Sequence, residues 1–506
     1  MKLPFLRPED AVVFGMNVPL SLVFEGRFSA AASVSSLLHL IKAQILKRLF
    51  ITLCMMLCLQ GTTLQANGLP ADSAIVEWLK STFDIKFTDN NRVVVFRTGQ
   101  EKFDDMFETI RQARHSVHLE YFNFRNDSIS NALFDLLKQK VSEGVEVRAV
   151  FDGFGNSSNN KPLRKHHLKS LRAAGIEICE FDPVRFPYFN HALRRDHRKV
   201  VVVDGLVAYT GGMNVADYYI HGKPEFGEWR DIHMRIEGEA VGTLQGVFLK
   251  FWNLVSVQEV KGPQYYPGGR EASDFFNLPP DTTATAGRKL LGIVNKEPGS
   301  PKHIIKDVFI EAIDGAQKQI QIINPYFTLS NRVRKALKRA ARRGVDVQVM
   351  VSEKCDIPMT PRLIERNTKR LMDDGVRFWF YQGGFHHSKI MMVDSIYSFV
   401  GSANLNSRSL RFDYECNVLI ADVPTTHHLQ RIFEEDKQER CFQMTPEIYK
   451  SFSAWRRFKG WFLQIFTPFV HNDAKPWDAS GEHPDFLAPW SETSVGTSAF
   501  NDYCLR

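Results

Sequence analysis

The chain has 506 residues and exceeds what one hydrophobic core usually organises, so two domains or two halves of one large domain are expected. Apolar residues make up 44% of it, which is ample for burial, and the formal net charge of +7 suits anionic partners such as phospholipid headgroups or nucleic acid. Outside an apolar N-terminal segment the cysteines are odd in number and lack a CxxC spacing, which argues against a disulfide framework or a zinc site and favours buried thiols.

Residues 1–70 are predicted to be a signal-like or membrane-anchor segment. Leu49 to Leu59 (LFITLCMMLCL) follows two basic residues and precedes GTTLQANG, in the order of the regions of a secretory signal peptide. The run is short for a full membrane span. However, residues 1–46 precede it, and its cleavage region matches the usual small-residue pattern poorly. The alternatives are a start codon placed too far upstream and a single tilted anchor that begins near Ser35.

A duplication is the main prediction about the organisation of the chain. In the first half, residues 71–258, HSVHLEYFNF is predicted to be a strand, SNALFDLLKQKVSEG an amphipathic helix that ends at Gly144, and VEVRAVFDGFG the next strand. In the second half, residues 305–440, the same order recurs as KQIQIINPYF, RVRKALKRAARRG with its end at Gly344, and VDVQVMVSEKCD. The predicted fold class is α/β: two duplicated halves, each a mostly parallel or mixed sheet flanked by helices, packed about a pseudo-two-fold interface.

Each half continues with a strand and a hairpin. GIEICEFDP corresponds to GVRFWFYQG, and RKVVVVDGLVAYTGGMN corresponds to SKIMMVDSIYSFVGSAN. Residues 259–304 are rich in Pro, Gly, Thr and Ser and are predicted to be a linker. Residues 441–470 mix Trp and Phe with Arg and Lys, and they fit either a membrane-surface helix or a helix packed on the protein's own core, with Pro446 and Pro468 limiting its length. Residues 471–506 are expected to be a poorly ordered tail.

Two copies of the pattern H-x-K-x4-D carry the predicted chemistry, and each is followed by a small-residue turn and an asparagine. The first copy consists of His197, Lys199, Asp204, Gly211, Gly212 and Asn214. The second consists of His387, Lys389, Asp394, Gly401, Ser402 and Asn404. Corresponding positions differ by 190 (387 minus 197), so the internal spacing is identical. Two copies in register predict one composite site at the interface between the halves.

Strand alternation places His197 and Lys199 on one face of their strand, and His387 and Lys389 on one face of theirs. If the halves face each other, two imidazoles and two ammonium groups converge on a pocket that suits a phosphodiester. One imidazole can attack phosphorus, the other can protonate the departing alkoxide, and the lysines offset the charge on the phosphoryl oxygens. With an ordinary imidazole pKa of about 6.5, both protonation states are accessible near neutral pH.

Two acidic residues are candidates to orient the histidines. A histidine that acts as nucleophile or acid needs an acceptor at its other ring nitrogen, which selects its tautomer. Asp231 and Glu415 each fall at the start of a further predicted strand. We expect Asp231 to orient His197 and Glu415 to orient His387.

The remaining motif residues are assigned to substrate binding or to the turn. Asparagine amides can donate to phosphoryl oxygens, and small residues let the backbone approach closely. The predicted substrate-binding residues are Gly212, Asn214, Ser402 and Asn404. Asp204 and Asp394 belong to the candidate catalytic motifs, and we expect them to brace the hairpin turn rather than to touch substrate.

The paired motifs resemble the HKD motifs of the phospholipase D superfamily, in DHRKVVVVDGLVAYTGGMN and HHSKIMMVDSIYSFVGSAN. Four further segments are similar to bacterial cardiolipin synthases: GGMNVADYY, WRDIHMRIEGEAV, INPYFTLSNRVRKALKRAARRGVDVQV and GSANLNSRSLRFDYECNVLI. The resemblance covers about Asn91 to Val423 without the linker. It implies that His197 is the nucleophile, that His387 is the general acid, and that no metal or cofactor takes part. It also implies that a second phosphatidylglycerol supplies the acceptor hydroxyl, so that cardiolipin and glycerol are the products.

The same resemblance implies an anionic phospholipid as substrate and a membrane surface as partner. The expected location is the bacterial cell membrane, either peripheral or through a single N-terminal anchor, and export to the periplasm after signal cleavage is the alternative. Members of the family usually begin with two hydrophobic spans, whereas this chain offers one short apolar run. The membrane topology therefore stays open, as does the oligomeric state.

Three functional classes compete: phosphatidyl transfer to an alcohol, hydrolysis of phospholipids or nucleic acid, and binding by a decayed member of the fold. Both motifs are intact, which argues against decay. A nuclease would need a long basic stripe with aromatic stacking platforms, and the best basic run, RVRKALKRAARRG, is an ordinary helix exterior. No nucleic acid partner is therefore expected. Transfer or hydrolysis depends on whether an organised alcohol or water reaches the phosphohistidine, and the sequence leaves both open.

Overall fold

The computed structural model describes residues 71–183, 194–299 and 303–471. The predictions for residues 1–70 and for the tail from residue 472 onward concern residues outside these ranges. Among the described residues, no helix combines the length and the apolar character needed to cross a membrane.

The N-terminal part of the described chain alternates strands with helices. The helices are α1 (Ala71–Phe83), α2 (Gly99–Gln112), α3 (Ser128–Ser142), α4 (Gly153–Ser158), α5 (Lys165–Ala173), α6 (Tyr218–His221) and α7 (Ala240–Ser256). The strands are β1 (Phe87–Thr88), β2 (Asn91–Phe96), β3 (Ser116–Tyr121), β4 (Glu146–Asp152), β5 (Glu177–Phe181), β6 (Lys199–Val203), β7 (Val207–Gly211), β8 (Glu228–Arg230) and β9 (His233–Gly238).

The C-terminal part repeats this order. The strands are β10 (Leu290–Lys296), β11 (Gln319–Ile323), β12 (Asp346–Ser352), β13 (Arg377–Tyr381), β14 (Gly384–His386), β15 (Ile390–Val393), β16 (Tyr397–Gly401), β17 (Glu415–Ala421) and β18 (Cys441–Met444). The helices are α8 (Ile304–Gly315), α9 (Asn331–Arg342), α10 (Thr360–Met372), α11 (Ser407–Arg411), α12 (Val423–Arg440), α13 (Pro446–Ser451) and α14 (Ala454–His471). Two short 3-10 helices, Pro263–Tyr265 and Ala272–Asp274, lie between the two parts.

Two mixed sheets confirm the predicted duplication. The first has seven strands in the order β2-β9-β7-β6-β3-β4-β5, and the second has nine in the order β1-β10-β17-β16-β15-β11-β12-β13-β18. In both, the βαβ units are parallel while the hairpin and the strands beyond it are antiparallel. The helix of each first βαβ unit gives way to a left-handed glycine, Gly144 or Gly344, as the sequence predicted.

The boundary between the halves differs from the linker prediction. Strand β10 lies inside the predicted linker, residues 259–304, and pairs along its whole length with β17 of the second sheet. Strand β1 pairs with β10, and helix α1 buries Ile75 and Leu79 in the core of the second half. The N-terminal end of the predicted first half therefore packs on the second. A hydrophobic pattern shows that a segment is buried, but it does not show against which core.

A third core joins the two sheets. Valines of β6 and apolar residues of β9 pack with side chains of β15 to β17 and with helix α12. The facing residues include Val200, Val202, Ile390, Met392 and Val418. Because the motif lysines lie at the starts of β6 and β15, this packing brings both HKD hairpins to one interface.

The C-terminal segment packs on the protein's own core, which is one of the two structures that the sequence left open, and a membrane contact stays a prediction. Helix α14 packs on α10, where Arg456 forms an ion pair with Glu365 and Gly460 lies against the backbone of Arg362. Its other face is exposed. Pro468 does not end the helix, contrary to the prediction, because α14 continues to His471.

The cysteines depart from the sequence prediction at one position. Cys355, Cys416 and Cys441 are free thiols, as predicted, and two of them are buried. Cys179 is disulfide-bonded, which corrects the expectation that it is a thiol.

Candidate active site

Backbone hydrogen bonds between the halves fix the two motif histidines. His197 N donates to Tyr414 O at 3.0 Å, and His387 N donates to Arg230 O at 2.6 Å. Strand β8 of the first half pairs in parallel with β14 of the second, directly before His387. Each histidine is therefore held by the chain that leads into a carboxylate of the opposite half.

Each histidine contacts a carboxylate of the other half, which corrects the predicted pairing. His197 Nδ1 lies 3.1 and 3.2 Å from the two oxygens of Glu415, and His387 Nδ1 lies 2.7 Å from Asp231 Oδ2. The prediction paired residues by their distance along the chain. In the fold, Asp231 lies just before β9 and Glu415 is the first residue of β17. Both positions lie at the interface, where each carboxylate faces the histidine of the other half.

These contacts engage Nδ1 and leave Nε2 of each ring available for nucleophilic attack or proton transfer. A carboxylate at Nδ1 holds the proton on that nitrogen and presents Nε2 with its lone pair. Lys389 Nζ also approaches His387 Nδ1, at 2.9 Å. An ammonium beside a protonated Nδ1 is repulsive, so the 2.7 Å contact with Asp231 is the one that orients the ring.

Burial depresses the pKa values of both histidines. Burial, followed by repulsion from Lys199, lowers the pKa of His197 to about 4, and burial followed by repulsion from Lys389 lowers the pKa of His387 to about 4. Both imidazoles are therefore neutral at neutral pH. The sequence argument assumed an ordinary pKa and therefore missed this desolvation.

The lysines and carboxylates form one charge cluster. Burial lowers the pKa of Lys199 to about 7, with a contribution from Lys389, and burial lowers the pKa of Lys389 to about 8. Burial alone would raise the pKa of Asp231, but Lys389 and His387 outweigh it and bring that pKa to about 2. The pKa of Glu415 is also held below its ordinary value, because His197, Lys199 and Ser402 outweigh its burial. Charges from both halves therefore act on one another in a single site.

The small residues after each motif position the carboxylates. At Gly212 a Cβ would overlap Asp231 Oδ1, so only glycine leaves room for that carboxylate. At the equivalent position, Ser402 Oγ donates to Glu415. Direct binding of substrate by Gly212 or Ser402 stays a prediction.

The two motif asparagines are buried beside the hairpins. Asn214 Nδ2 makes a long contact of 3.4 Å with Tyr219 Oη, and Asn404 Nδ2 one of 3.5 Å with Ser409 Oγ. The side-chain oxygen of each accepts no hydrogen bond from the described residues. Their contact with a phosphoryl group stays a prediction.

Asp204 and Asp394 lie at the far ends of the hairpin strands from the lysines. Asp204 accepts hydrogen bonds from the backbone of Arg114, His115 and Ser116, at 2.8 to 2.9 Å. Asp394 accepts from the backbone of residues 317–319, at 2.7 to 2.9 Å. Both have a φ of 53°. These contacts brace the turn, and neither carboxylate is close to the histidines.

Aromatic side chains around the histidines were not anticipated. The Phe122 ring packs edge-on against His197, with centroids 5.2 Å apart. Trp229, Tyr326 and Phe385 surround His387 with centroids 5.5 to 5.8 Å from its ring. Phe122 follows β3 and Tyr326 follows β11. Sites often form at the carboxyl ends of parallel strands, so the position of these two residues was the sequence signal that could have identified them.

A buried ion cluster lies beneath the first motif. Arg198 Nε is 2.6 Å from Glu120 Oε1 and 3.2 Å from Asp196 Oδ1, and its guanidinium also reaches Asn295 of β10. The three charged side chains are fully buried. Burial raises the pKa of both carboxyl groups, and Arg198 opposes that rise. Among the described residues no group of three His, Cys, Asp or Glu side chains could hold a metal.

Comparison with known proteins agrees with this geometry. The family described as "Cardiolipin synthase, PLD-like domain" matches residues 106–226 and 309–437. The chain is 35% identical over 378 residues to the probable cardiolipin synthase YwiE of Bacillus subtilis strain 168, covering 74% of this chain and 72% of that protein. It is 35% identical over 384 residues to the cardiolipin synthase of Oceanobacillus iheyensis, covering 76% of each.

A solved structure shares the fold. The phosphatidylserine synthase of Haemophilus influenzae Rd KW20 superposes with a TM-score of 0.59 at 14% identity, covering 79% of this chain and 97% of that one. At this identity the likeness concerns the architecture alone. Together with the sequence relatives, the two halves and the paired HKD motifs show that the chain is an enzyme of the phospholipase D superfamily and belongs to the cardiolipin synthase family.

Proposed function

We propose that this enzyme is a phosphatidyltransferase that converts two molecules of phosphatidylglycerol into cardiolipin and glycerol. The observation that carries the proposal is the exchange of carboxylates between the halves, with Glu415 on His197 and Asp231 on His387. It orients both imidazoles in one charge cluster with Lys199 and Lys389, which supports their joint action on one phosphodiester. The cardiolipin synthase relatives supply the substrate class.

In the first half-reaction, His197 Nε2 attacks the phosphorus of the first phosphatidylglycerol. The bond between phosphorus and the headgroup glycerol oxygen breaks, and that oxygen takes a proton from His387 Nε2. Glycerol leaves, and the phosphatidyl group stays on His197 as a phosphohistidine. Lys199 and Lys389 offset the charge on the phosphoryl oxygens.

In the second half-reaction, the headgroup hydroxyl of a second phosphatidylglycerol attacks the same phosphorus. His387 Nε2, now neutral, accepts the hydroxyl proton, and the bond between phosphorus and His197 breaks. Cardiolipin leaves and both histidines return to their first state. If water takes the place of the alcohol, the product is phosphatidic acid, which is the hydrolytic alternative.

The acid role of His387 depends on the charge of the substrate. In the free enzyme the pKa of His387 is about 4, so this ring is neutral at neutral pH. A phosphodiester anion between the lysines cancels part of their repulsion and raises that pKa. Substrate binding therefore favours uptake of a proton from solvent by His387, which passes that proton to the leaving group.

The location is part of the proposal. The substrate headgroup lies at a bilayer surface, so we place the enzyme at the bacterial membrane, either peripheral or held by an N-terminal anchor. Secretion to the periplasm remains the alternative for a cleaved segment 1–70.

The decisive experiment incubates the purified full chain with phosphatidylglycerol micelles and analyses the lipids. Cardiolipin with an equal amount of glycerol supports the synthase. Phosphatidic acid would make the enzyme a hydrolase, and unchanged lipid with cleaved DNA would make it a nuclease. His197→Ala and His387→Ala serve as controls for contaminating activity, because each removes one reacting group.

A further inference from the structure

Helix α14 carries an exposed apolar stripe on the side opposite its packing contacts. The stripe consists of Trp455, Phe458, Trp461, Phe462 and Ile465, which are 43% to 63% exposed. These positions follow a spacing of three and four residues and therefore share one side of the helix. The Phe458 ring lies within 5.4 to 6.0 Å of the rings of Trp455, Trp461 and Phe462, so the stripe is a continuous aromatic surface.

The charge of the helix points to the kind of surface that covers this stripe. Between Ala454 and His471 the sequence contains Arg456, Arg457 and Lys459 but no Asp or Glu. Arg456 is engaged with Glu365 on the packed side, while Lys459 is exposed beside the stripe. Trp and Phe on one side with basic residues at the edge are typical of helices that lie in the interface of an anionic bilayer.

The position of α14 relates the stripe to the active site. Strand β18 pairs antiparallel with β13 and brings the chain to the C-terminal end of α10. Helix α14 then runs back along α10 toward Thr360, the first residue of α10. Ile357 and Met359, which are half-exposed, stand just before that first residue. Asp356 in the same loop accepts a hydrogen bond from Tyr326, whose ring packs against His387.

We propose that α14 is a docking helix that lies in the headgroup region of an anionic phospholipid bilayer and holds the mouth of the active site at the lipid surface. This inference rests on the proposed function for the identity of the surface. A bilayer fits the stripe because its bulky rings are exposed along one side of a helix that has basic residues and no acidic ones. The phosphodiester of a phosphatidylglycerol lies at the depth that such a helix occupies.

Tryptophan quenching tests the inference without measuring turnover. The full chain is mixed with phosphatidylglycerol vesicles whose acyl chains carry bromine, which quenches only tryptophans in contact with the lipid. We expect quenching of the wild type and loss of most of it in Trp455→Phe/Trp461→Phe. The matched control, Trp78→Phe, removes a partly buried tryptophan on α1 and should keep the quenching. This readout works even if residues 1–70 also bind the vesicles.

Two outcomes would overturn the inference. One is equal quenching in the wild type and in the double tryptophan variant, and the other is the absence of quenching in the wild type. A second copy of the chain could instead cover the stripe. A dimer that Phe458→Ser/Phe462→Ser dissociates, together with no quenching by bromine, would show this and would also reject a lipid surface.

A second variant relates docking to turnover. Phe458→Ser/Phe462→Ser should lower the turnover of vesicle phosphatidylglycerol by about tenfold, because two rings no longer enter the lipid. Turnover of monomeric short-chain phosphatidylglycerol should stay unchanged. Leu254→Ser, which alters a 60% exposed side chain on α7, is the control and should change neither. Quenching without cardiolipin synthesis would reject the proposed function and keep the docking helix, whereas synthesis without quenching would do the reverse.

Discussion

At the scale of single residues, His197 and His387 have nearly equivalent surroundings. His387 is buried and the His197 side chain is 14% exposed. Each ring contacts a carboxylate of the other half through Nδ1, and each histidine precedes a lysine by two positions. Both pKa values are depressed to about 4. Their different roles in the proposed reaction therefore cannot come from protonation in the free enzyme. They must come from how the substrate lies between them.

A substrate whose leaving group needs no proton separates the two roles. With phosphatidyl p-nitrophenol, His387→Ala should release about one equivalent of p-nitrophenol in a burst and keep a labelled phosphatidyl group on the protein, since His197 is intact. His197→Ala should show neither. With phosphatidylglycerol both variants should lose about a thousandfold or more in kcat. A burst from His197→Ala instead of His387→Ala would exchange the roles.

Gly212 offers a test of carboxylate positioning. A Cβ at this position overlaps Asp231, so in Gly212→Ala the carboxylate must move and His387 loses its orientation. We expect kcat to fall by about a hundredfold with a smaller change in KM, since small displacements near the reacting groups are costly. Ser402→Ala is the matched control. It removes one hydrogen bond to Glu415 but adds no atoms, so its effect should be smaller. Equal activity of Gly212→Ala and the wild type would contradict the assignment.

At this scale the sequence predicted which residues the fold brings together but not how they pair. Residue type and repeat spacing were enough to select the histidines, lysines and both carboxylates. The pairing of Asp231 with His387, and of Glu415 with His197, depends on how the halves pack, which the spacing along the chain does not contain. The depressed histidine pKa values follow from burial at the same interface.

At the scale of elements, the βαβ units and hairpins were predictable because their hydrophobic periods and glycine ends are local signals. Strand β10 was not, since it lies in a segment rich in Pro and Gly and is recruited by β17. Helix α14 was predicted only as two alternatives. In the structure one side of α14 packs on α10 and the other side is exposed, because an amphipathic helix buries only one of its sides.

The start of β6 provides a stability prediction at this scale. Arg198 links the buried carboxylates of Glu120 on β3 and Asp196, and it also reaches the half-buried Asn295 of β10. Arg198→Met leaves two buried carboxylates without their cation, so the free energy of unfolding should fall by about 3–5 kcal/mol. Urea unfolding followed by circular dichroism measures it. Arg342→Met removes an arginine of α9 whose side chain is 66% exposed and leaves Asp374 paired with Lys338, so it should cost less than about 1 kcal/mol. Equal losses would show that the buried cluster is not structural.

At the scale of the whole molecule, the site exists only where the two halves meet. Each half supplies one histidine, one lysine and one carboxylate, and each carboxylate serves the histidine of the other half. Charges of the second half also act on the first, because Lys389 contributes to the low pKa of Lys199. The electrostatic behaviour of the enzyme is therefore a property of the assembled pair.

The pH profile of kcat/KM for phosphatidyl p-nitrophenol, whose leaving group needs no proton from His387, should report this assembly. The reaction needs a neutral His197, with a pKa of about 4, and charged lysines, with pKa values of about 7 for Lys199 and about 8 for Lys389. The rate should therefore rise as pH increases through about 4 and fall as pH increases through about 7, because the lysine with the lower pKa loses its proton first. Lys199→Arg keeps that charge at all these pH values and should move the alkaline limb upward, to about 8, where Lys389 titrates. Lys389→Arg keeps the repulsion on Lys199 and should leave the limb near 7. A limb that both variants leave in place would show that neither lysine must be charged in the free enzyme.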